Sequence, residues 1–485
     1  MFCELVHKAD LGNGYYLNPI LDGDYADPAV FRKGEDYYLS VSTGPYYPGL
    51  TIFHSRDLVN WNPICHPLQK FQYEAYAPDF FYYQGKYYIY FCAGGTNWVI
   101  WSKNVDNGWS EPIDLKVGYI DPGHCVDRQG NRYLFLSDGH LVPLTQDGLA
   151  VAGEVKQVIQ AAPIPDEWDI EGFFPEAPNV FEKDGYYYLT YANGGTAGPA
   201  TSHMIVAARA KDLYGPWEFS PYNPIVHTYH REEKWISKGH GHFVEDTEGK
   251  WWAIYHAYEN GYASVGRKLL LSPVEFTEDG WFRITAPADE ATKKPVGCDI
   301  TKLISFSDSF SSPQASSSLS WRSWQETDYF RYEYTDFGLK IHGTSESIGK
   351  THPLTLTTGD HSYEISVHLK AEPGCEAGLV LMYNPEIFNA VALKDGMLTV
   401  YRVSRTLAKK EIGCSECWLK MTNREQYVAF HYSLDGVHYQ KLNYVIDVAA
   451  QNNNAYLGFQ SLRPGIFAAG NSDAEFSDFI YIGRK

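Results

Sequence analysis

The chain has 485 residues, 44% hydrophobic and 20% charged, a globular composition that excludes disorder and coiled coil and allows two or three domains. Forty Lys and Arg against 59 Asp and Glu leave a formal charge of −19, which repels phosphate backbones and anionic lipid, so neither nucleic acid nor a membrane is an expected partner. No apolar run approaches the roughly 20 residues of a membrane-spanning helix.

Thirteen Trp, 38 Tyr and 25 Phe make the chain rich in rings that suit both β-sheet packing and stacking on sugars. The start, Met1–Lys8, lacks the apolar core and small-residue cleavage site of a leader. The expectation is a cytoplasmic protein, or a periplasmic or secreted one if a leader was removed. Eight scattered cysteines do not form a disulfide framework, and Cys414-Ser-Glu-Cys417 is a lone pair without a partner motif.

From residue 27 onward one pattern recurs: a short β-rich run, a turn with glycine, then aromatic residues opening a second run. The copies are 27–39, 77–89, 121–134, 177–189 and 241–253, with turn glycines at 34, 85, 130, 185 and 249. Hairpins recurring at 45–64 residues, without any 3.6-residue period, predict the blades of a five-bladed β-propeller over residues 1–290. A polar, proline-punctuated stretch follows, and 291–304 reads as a linker. Alternating segments at 361–369, 378–383, 427–434 and 454–459 then predict a β-sandwich of jelly-roll, lectin-like type over 305–485. The fold class is therefore all-β.

Aligning the copies on their aromatic residues exposes one slot at the start of each blade's first strand, occupied by Asp27, Tyr76, Asp121, Glu176 and His240. First strands surround a propeller's axis, so these five side chains should converge at one end of the channel. Carboxylates crowded in this way repel and raise one another's pKa, a cost tolerated for chemistry. Two carboxyl groups across a sugar are what glycoside hydrolysis requires, with a third able to tune the acid. The longer reach of Glu176 suits a proton donor, and a shorter Asp suits a fixed base.

These residues resemble glycoside hydrolase family 43. The carriers are Asn18–Ala29 with its Asp27-Pro, Pro48–Trp61, Tyr119-Ile-Asp121-Pro, Pro175-Glu176-Ala-Pro, Gly239-His240-Gly and Gly266-Arg267-Lys, spread over about residues 15–285. The resemblance implies Asp27 as general base, Glu176 as general acid and Asp121 as the group that tunes and orients the acid. It implies a sugar contact for Arg267, which also touches the acid. Tyr76 stands where the family usually has Trp, in Tyr76-Ala-Pro-Asp79, and Tyr76, Asp79 and Trp168 are the other candidate substrate contacts. His240 is the candidate metal residue, for a structural Ca²⁺ or Na⁺ in the channel; no cofactor is required. Glu176-Ala-Pro-Asn179 replaces the usual Glu-Gly-Pro-His, and an acidic insert at 165–172 offers Glu171-Gly172 as a competing acid motif that lacks the register. The second domain is loosely similar to the sandwich of the xylosidase-like branch, where a loop can close over the pocket; Phe467 is a candidate ring there, with sandwich core as its alternative.

The implied activity is that of an inverting exo-glycosidase removing β-D-xylosyl or α-L-arabinofuranosyl groups from plant-type oligosaccharides. A β-galactofuranosidase, a β-galactosidase and a non-catalytic carbohydrate-binding propeller are the alternatives. A retaining fructan-type enzyme is disfavoured because its Asn-Asp-Pro-Asn and Arg-Asp-Pro motifs are missing. The oligomeric state is not legible.

Overall fold

A computed structural model describes residues 7–301, 306–313, 320–325 and 332–484. The segment 1–6, part of the stretch read for a leader, and residues 302–304 of the expected linker lie outside them.

Five four-stranded antiparallel units follow one another along the chain, their strands spanning 29–65, 76–114, 123–157, 176–219 and 235–284; the fourth carries an extra short strand at Val226–His227. They are blades I to V of a propeller. The aromatic residues that mark each copy explain how the blades join. Adjacent residues of a strand face opposite sides of its sheet, so a doublet gives one ring to each neighbouring interface. Tyr37 packs with Val244 and Trp252 between blades V and I, while Tyr38 packs with Phe80 and Tyr87 between I and II. Tyr88 then serves the II–III layer, Tyr187 the III–IV layer and Tyr188 the IV–V layer. All five turn glycines hold positive φ, between 67° and 86°, where a side chain would be strained. The ring is closed by the segment ahead of blade I: Ile20 donates its N–H to Leu269 O of blade V at 2.8 Å, and Leu271 donates to Asn18 Oδ1 at 2.8 Å.

The C-terminal part packs an eight-stranded on a seven-stranded sheet. Their facing rows, among them Val367, Leu369, Leu379, Leu381, Leu419 and Ile466, form the largest apolar core of the chain. One edge of the eight-stranded sheet is Tyr46–Tyr47, which belongs to the propeller and pairs with Arg322–Trp324. The two domains therefore share a sheet.

One expected strand is absent. Residues 454–459 alternate like a strand, but Asn453–Tyr456 forms a short helix, capped by the Asn452 side chain accepting the Asn454 N–H. Leu457, Gly458 and Phe459 then all take positive φ. Three left-handed residues in succession turn the chain out of any sheet and project this loop toward the propeller.

Candidate active site

Each blade's inner strand begins with a kink. Asp27, Ala77, Asp121, Ala177 and His240 all have φ between 46° and 57°, and in blades II, IV and V the pairing register slips at the same place. Non-glycine residues held in this region cost energy and cluster at functional sites. At these kinks the slot residues Asp27, Tyr76, Asp121, Glu176 and His240, together with Arg267, line a pocket of about 430 Å³. Asp24, Ser42, Glu74, Ile120, Glu171, Phe174 and Thr196 add to its wall, and Phe459, Gln460 and Arg463 reach in from the sandwich.

Asp27, 6% exposed, is the most heavily engaged group. Its carboxylate accepts from Arg267 Nη1 at 2.9 Å and from Ser42 Oγ at 2.5 Å, and its backbone N–H donates to His256 Nδ1 at 3.1 Å. Ser42 Oγ in turn accepts the Ala77 N–H at 2.6 Å, tying blade I to blade II. Burial alone would raise Asp27, but the Arg267 charge, with His240 and His256, outweighs it and holds the carboxyl well below the usual carboxylate range.

Asp121 and Glu176 go the other way. Burial pushes Asp121 up and the Asp27 charge adds to it, against the Ala177 N–H it accepts at 3.0 Å. Glu176 is driven well above its ordinary value by burial, then by the charges of Asp121 and Asp27. The pocket thus holds Asp27 as a charged carboxylate beside two mutually repelling carboxyls, Asp121 and Glu176, both pushed toward the protonated form. The Asp121 N–H donates to Cys92 Sγ at 3.0 Å, which anchors the kinked backbone.

His240 stands between the two aspartates, its Nδ1 3.4 Å from Asp27 Oδ1 and 3.6 Å from Asp121 Oδ2. Burial lowers it to about 3, so the ring is neutral at ordinary pH. Among the described residues no three His, Cys, Asp or Glu side chains gather as a metal site, and His242 turns away toward Asn179.

Two expected contacts, Asp79 and Trp168, lie elsewhere. Asp79, 5% exposed, accepts the His124 N–H at 2.6 Å and borders a separate cavity with Asn179 and His242; the slip between Tyr76 and Asp79 turns it toward blade III. Trp168 stacks on His227 with centroids 4.4 Å apart and packs against the blade III–IV core. Phe467 is buried in the sandwich, and the ring the sandwich does supply is Phe459, which faces the Arg267 guanidinium at 5.1 Å. Arg267 itself bonds to Asp27 rather than to Glu176. Ser42, Glu74, Phe174, His256, Phe459 and Arg463 carried no signal in the blade repeat.

A propeller that gathers three carboxylates under opposed electrostatic control, in a pocket walled by a second domain, has the architecture of a glycoside-cleaving protein. The chain belongs to glycosyl hydrolases family 43, whose family model matches residues 16–282; the model of the beta xylosidase C-terminal concanavalin A-like domain matches 307–482. A non-reducing end alpha-L-arabinofuranosidase of Bacteroides ovatus is 30% identical over 305 residues, 57% of this chain and 55% of that one. A xylan 1,3-beta-xylosidase of a Vibrio species is 29% identical over 311 residues, 54% of this chain and 56% of that one. The chain thus spans about half the length of these curated relatives. Among solved structures, a family 43 protein of Bacillus licheniformis superposes with a TM-score of 0.86 at 29% identity, over 97% of this chain and all of the other.

Proposed function

We propose that the chain is an inverting exo-glycosidase that releases a terminal β-D-xylosyl or α-L-arabinofuranosyl residue from plant-type oligosaccharides. The observation that carries this reading is the opposed state of two carboxyl groups in one pocket: Asp27 held as the anion by Arg267, Glu176 held as the acid by burial and by Asp121. Asp27 takes a proton from water as that water bonds to the anomeric carbon. The glycosidic carbon–oxygen bond breaks as Glu176 gives its proton to the departing oxygen. Asp121 sustains the protonated state of Glu176, and its N–H bond to Cys92 and its acceptance of the Ala177 N–H orient it. Water and two carboxyl groups complete the step. The sandwich loop walls the pocket with Phe459, Gln460 and Arg463, which favours attack at a chain end. The names of the relatives, xylosidase and arabinofuranosidase, support a pentosyl glycon.

The test is proton NMR of the first-formed sugar during hydrolysis of 4-nitrophenyl β-D-xyloside, α-L-arabinofuranoside, β-galactofuranoside and β-galactoside. Inversion on a pentoside is expected. A retained anomer overturns the assignment of Asp27 as base, and faster turnover of a galactosyl substrate overturns the pentosyl glycon.

A further inference from the structure

The loop directly ahead of Glu176 is held in place from several sides. The Glu171 N–H donates to Ser202 Oγ at 2.7 Å and to Gly194 O at 3.1 Å, and Gly194 returns its N–H to Phe173 O at 2.8 Å. Glu171 Oε2 accepts the Ala197 N–H at 2.8 Å, while Oε1 accepts no hydrogen bond from any described residue. Gly195, with φ of 88°, makes the room: a Cβ there would stand 2.4 Å from Glu171 Oε2 and 3.0 Å from the Phe174 ring. One glycine therefore clears space for a carboxylate and an aromatic ring side by side. Both line the pocket that contains Glu176, and Phe174 is 52% exposed although it is a large apolar ring.

A rigid carboxylate with one open oxygen beside an exposed aromatic face is suited to a sugar, whose hydroxyl donates to the anion while its C–H face lies on the ring. Position says which sugar. The departing oxygen receives its proton from Glu176, so the leaving group lies on the Glu176 side, where this loop stands. Asp27, Arg267 and Phe459 form a separate group in the same pocket, Arg267 bonding to Asp27 and facing the Phe459 ring.

We infer that Glu171 and Phe174 form a leaving-group subsite that selects a second sugar, with Glu171 Oε1 accepting one of its hydroxyls and Phe174 carrying its ring. This rests on the glycosidase reading above. A competing role for Glu171 is purely electrostatic support of the acid.

The experiment compares KM and kcat of the full chain, its Glu171→Gln and Glu171→Asp variants and its Phe174→Ala variant on two substrates of one glycon. They are xylobiose and 4-nitrophenyl β-D-xyloside, or arabinobiose and 4-nitrophenyl α-L-arabinofuranoside, according to the glycon wild type accepts. Loss of a hydrogen bond to a charged group should raise KM for the disaccharide about tenfold or more in both Glu171 variants. The rise for the aryl glycoside, which offers no hydroxyl there, should be at least fivefold smaller, roughly the size of that lost bond being absent. Phe174→Ala should raise KM for both substrates, because a nitrophenyl ring also stacks. Equal KM changes on both substrates in the Glu171 variants overturn the inference, as does a moved basic pH limb without the KM split. Unchanged KM in Phe174→Ala overturns the ring's part. If wild type cleaves none of the four substrates, the pentosidase reading itself fails and the inference falls with it.

Discussion

Replacing Arg267 by Met removes the cation that keeps Asp27 ionised. Its Nη1 lies 2.9 Å from Asp27 Oδ1, with both side chains about one-tenth exposed. At that separation and an effective dielectric near 20, the attraction is about 5–6 kcal/mol. Losing that attraction raises the Asp27 carboxyl, because the charged form loses its partner while the protonated form does not. Entering water screens the carboxylate, so this attraction is an upper bound on what the substitution removes. The sign is fixed, since the ionised form is the one that accepts the proton from water. A raised Asp27 moves the acid limb of kcat/KM to higher pH, and activity lost on the acid side returns as pH climbs. The assay is a pH profile of kcat/KM on a 4-nitrophenyl pentoside, whose good leaving group keeps the Glu176 limb from intruding. Arg267→Lys keeps the charge without the planar fork and should move the limb less. If Arg267→Met raises KM but leaves the acid limb within about half a unit, the arginine is a sugar ligand and the electrostatic account of Asp27 is wrong.

Glu176→Ala should lose about 10²–10⁴-fold in kcat on pentosyl disaccharides and far less on activated aryl pentosides; equal losses in a paired assay exclude it as the acid. Asp121→Asn removes an anion that raises Glu176, so the basic limb on a poor leaving group should move to lower pH; an upward shift contradicts the assignment. Lys268, 2% exposed, pairs at 2.7 Å with both Asp22 and Glu259 and donates to Gly359 O of the sandwich. Lys268→Met strands the Asp22 carboxylate, leaves Glu259 to His361 and Lys234, and should cost about 3–5 kcal/mol in denaturant unfolding at pH 7. Burial raises Glu259, yet His361 and Lys268 hold it at about 2. A depressed carboxyl stabilises above its unfolded value of about 4.3 and stops doing so as pH falls through its folded value. The Lys268→Met deficit should therefore shrink between about pH 4 and pH 2.

The propeller was legible because its signal is local and repeated. An aromatic residue and a glycine turn recur in every blade, and each doublet feeds two interfaces at once. The slot was legible for the same reason: Asp27, Asp121 and Glu176 occupy one register position, and the backbone kinks there in all five blades. The rest of the pocket depends on contacts without a local signature. Phe459 and Arg463 come from a different domain, and Ala455–Phe459 alternates as a strand would; only the cap at Asn452 and three left-handed residues take it elsewhere. In and beside the insert, the expectation named Trp168 and passed over Phe174. What separates them is distant in sequence: His227 offers Trp168 a stacking partner, and Gly195 leaves room for Phe174. Asp79 shows the limit of alternation, since the register slip after Tyr76 alters which way it faces.

The pocket concentrates features that folding otherwise avoids: left-handed non-glycine residues, buried like charges and a neutral histidine between two aspartates. None of these is stable by itself, and each stays in place because surrounding structure leaves it no alternative. Asp24 shows how the two domains share that task. Its Oδ1 accepts the Arg267 N–H at 3.2 Å, and its Oδ2 faces Arg463 Nη2 of the sandwich at 3.5 Å. Gly266, at φ of 85°, admits this approach, for a Cβ would meet Asp24 at 2.5 Å. The strand that presents Arg267 to Asp27 is thus braced through Asp24 by the sandwich, while Phe459 covers the guanidinium from the same side. Removing water from that ion pair strengthens it, so the second domain acts on the protonation state of Asp27 as well as on the shape of the pocket.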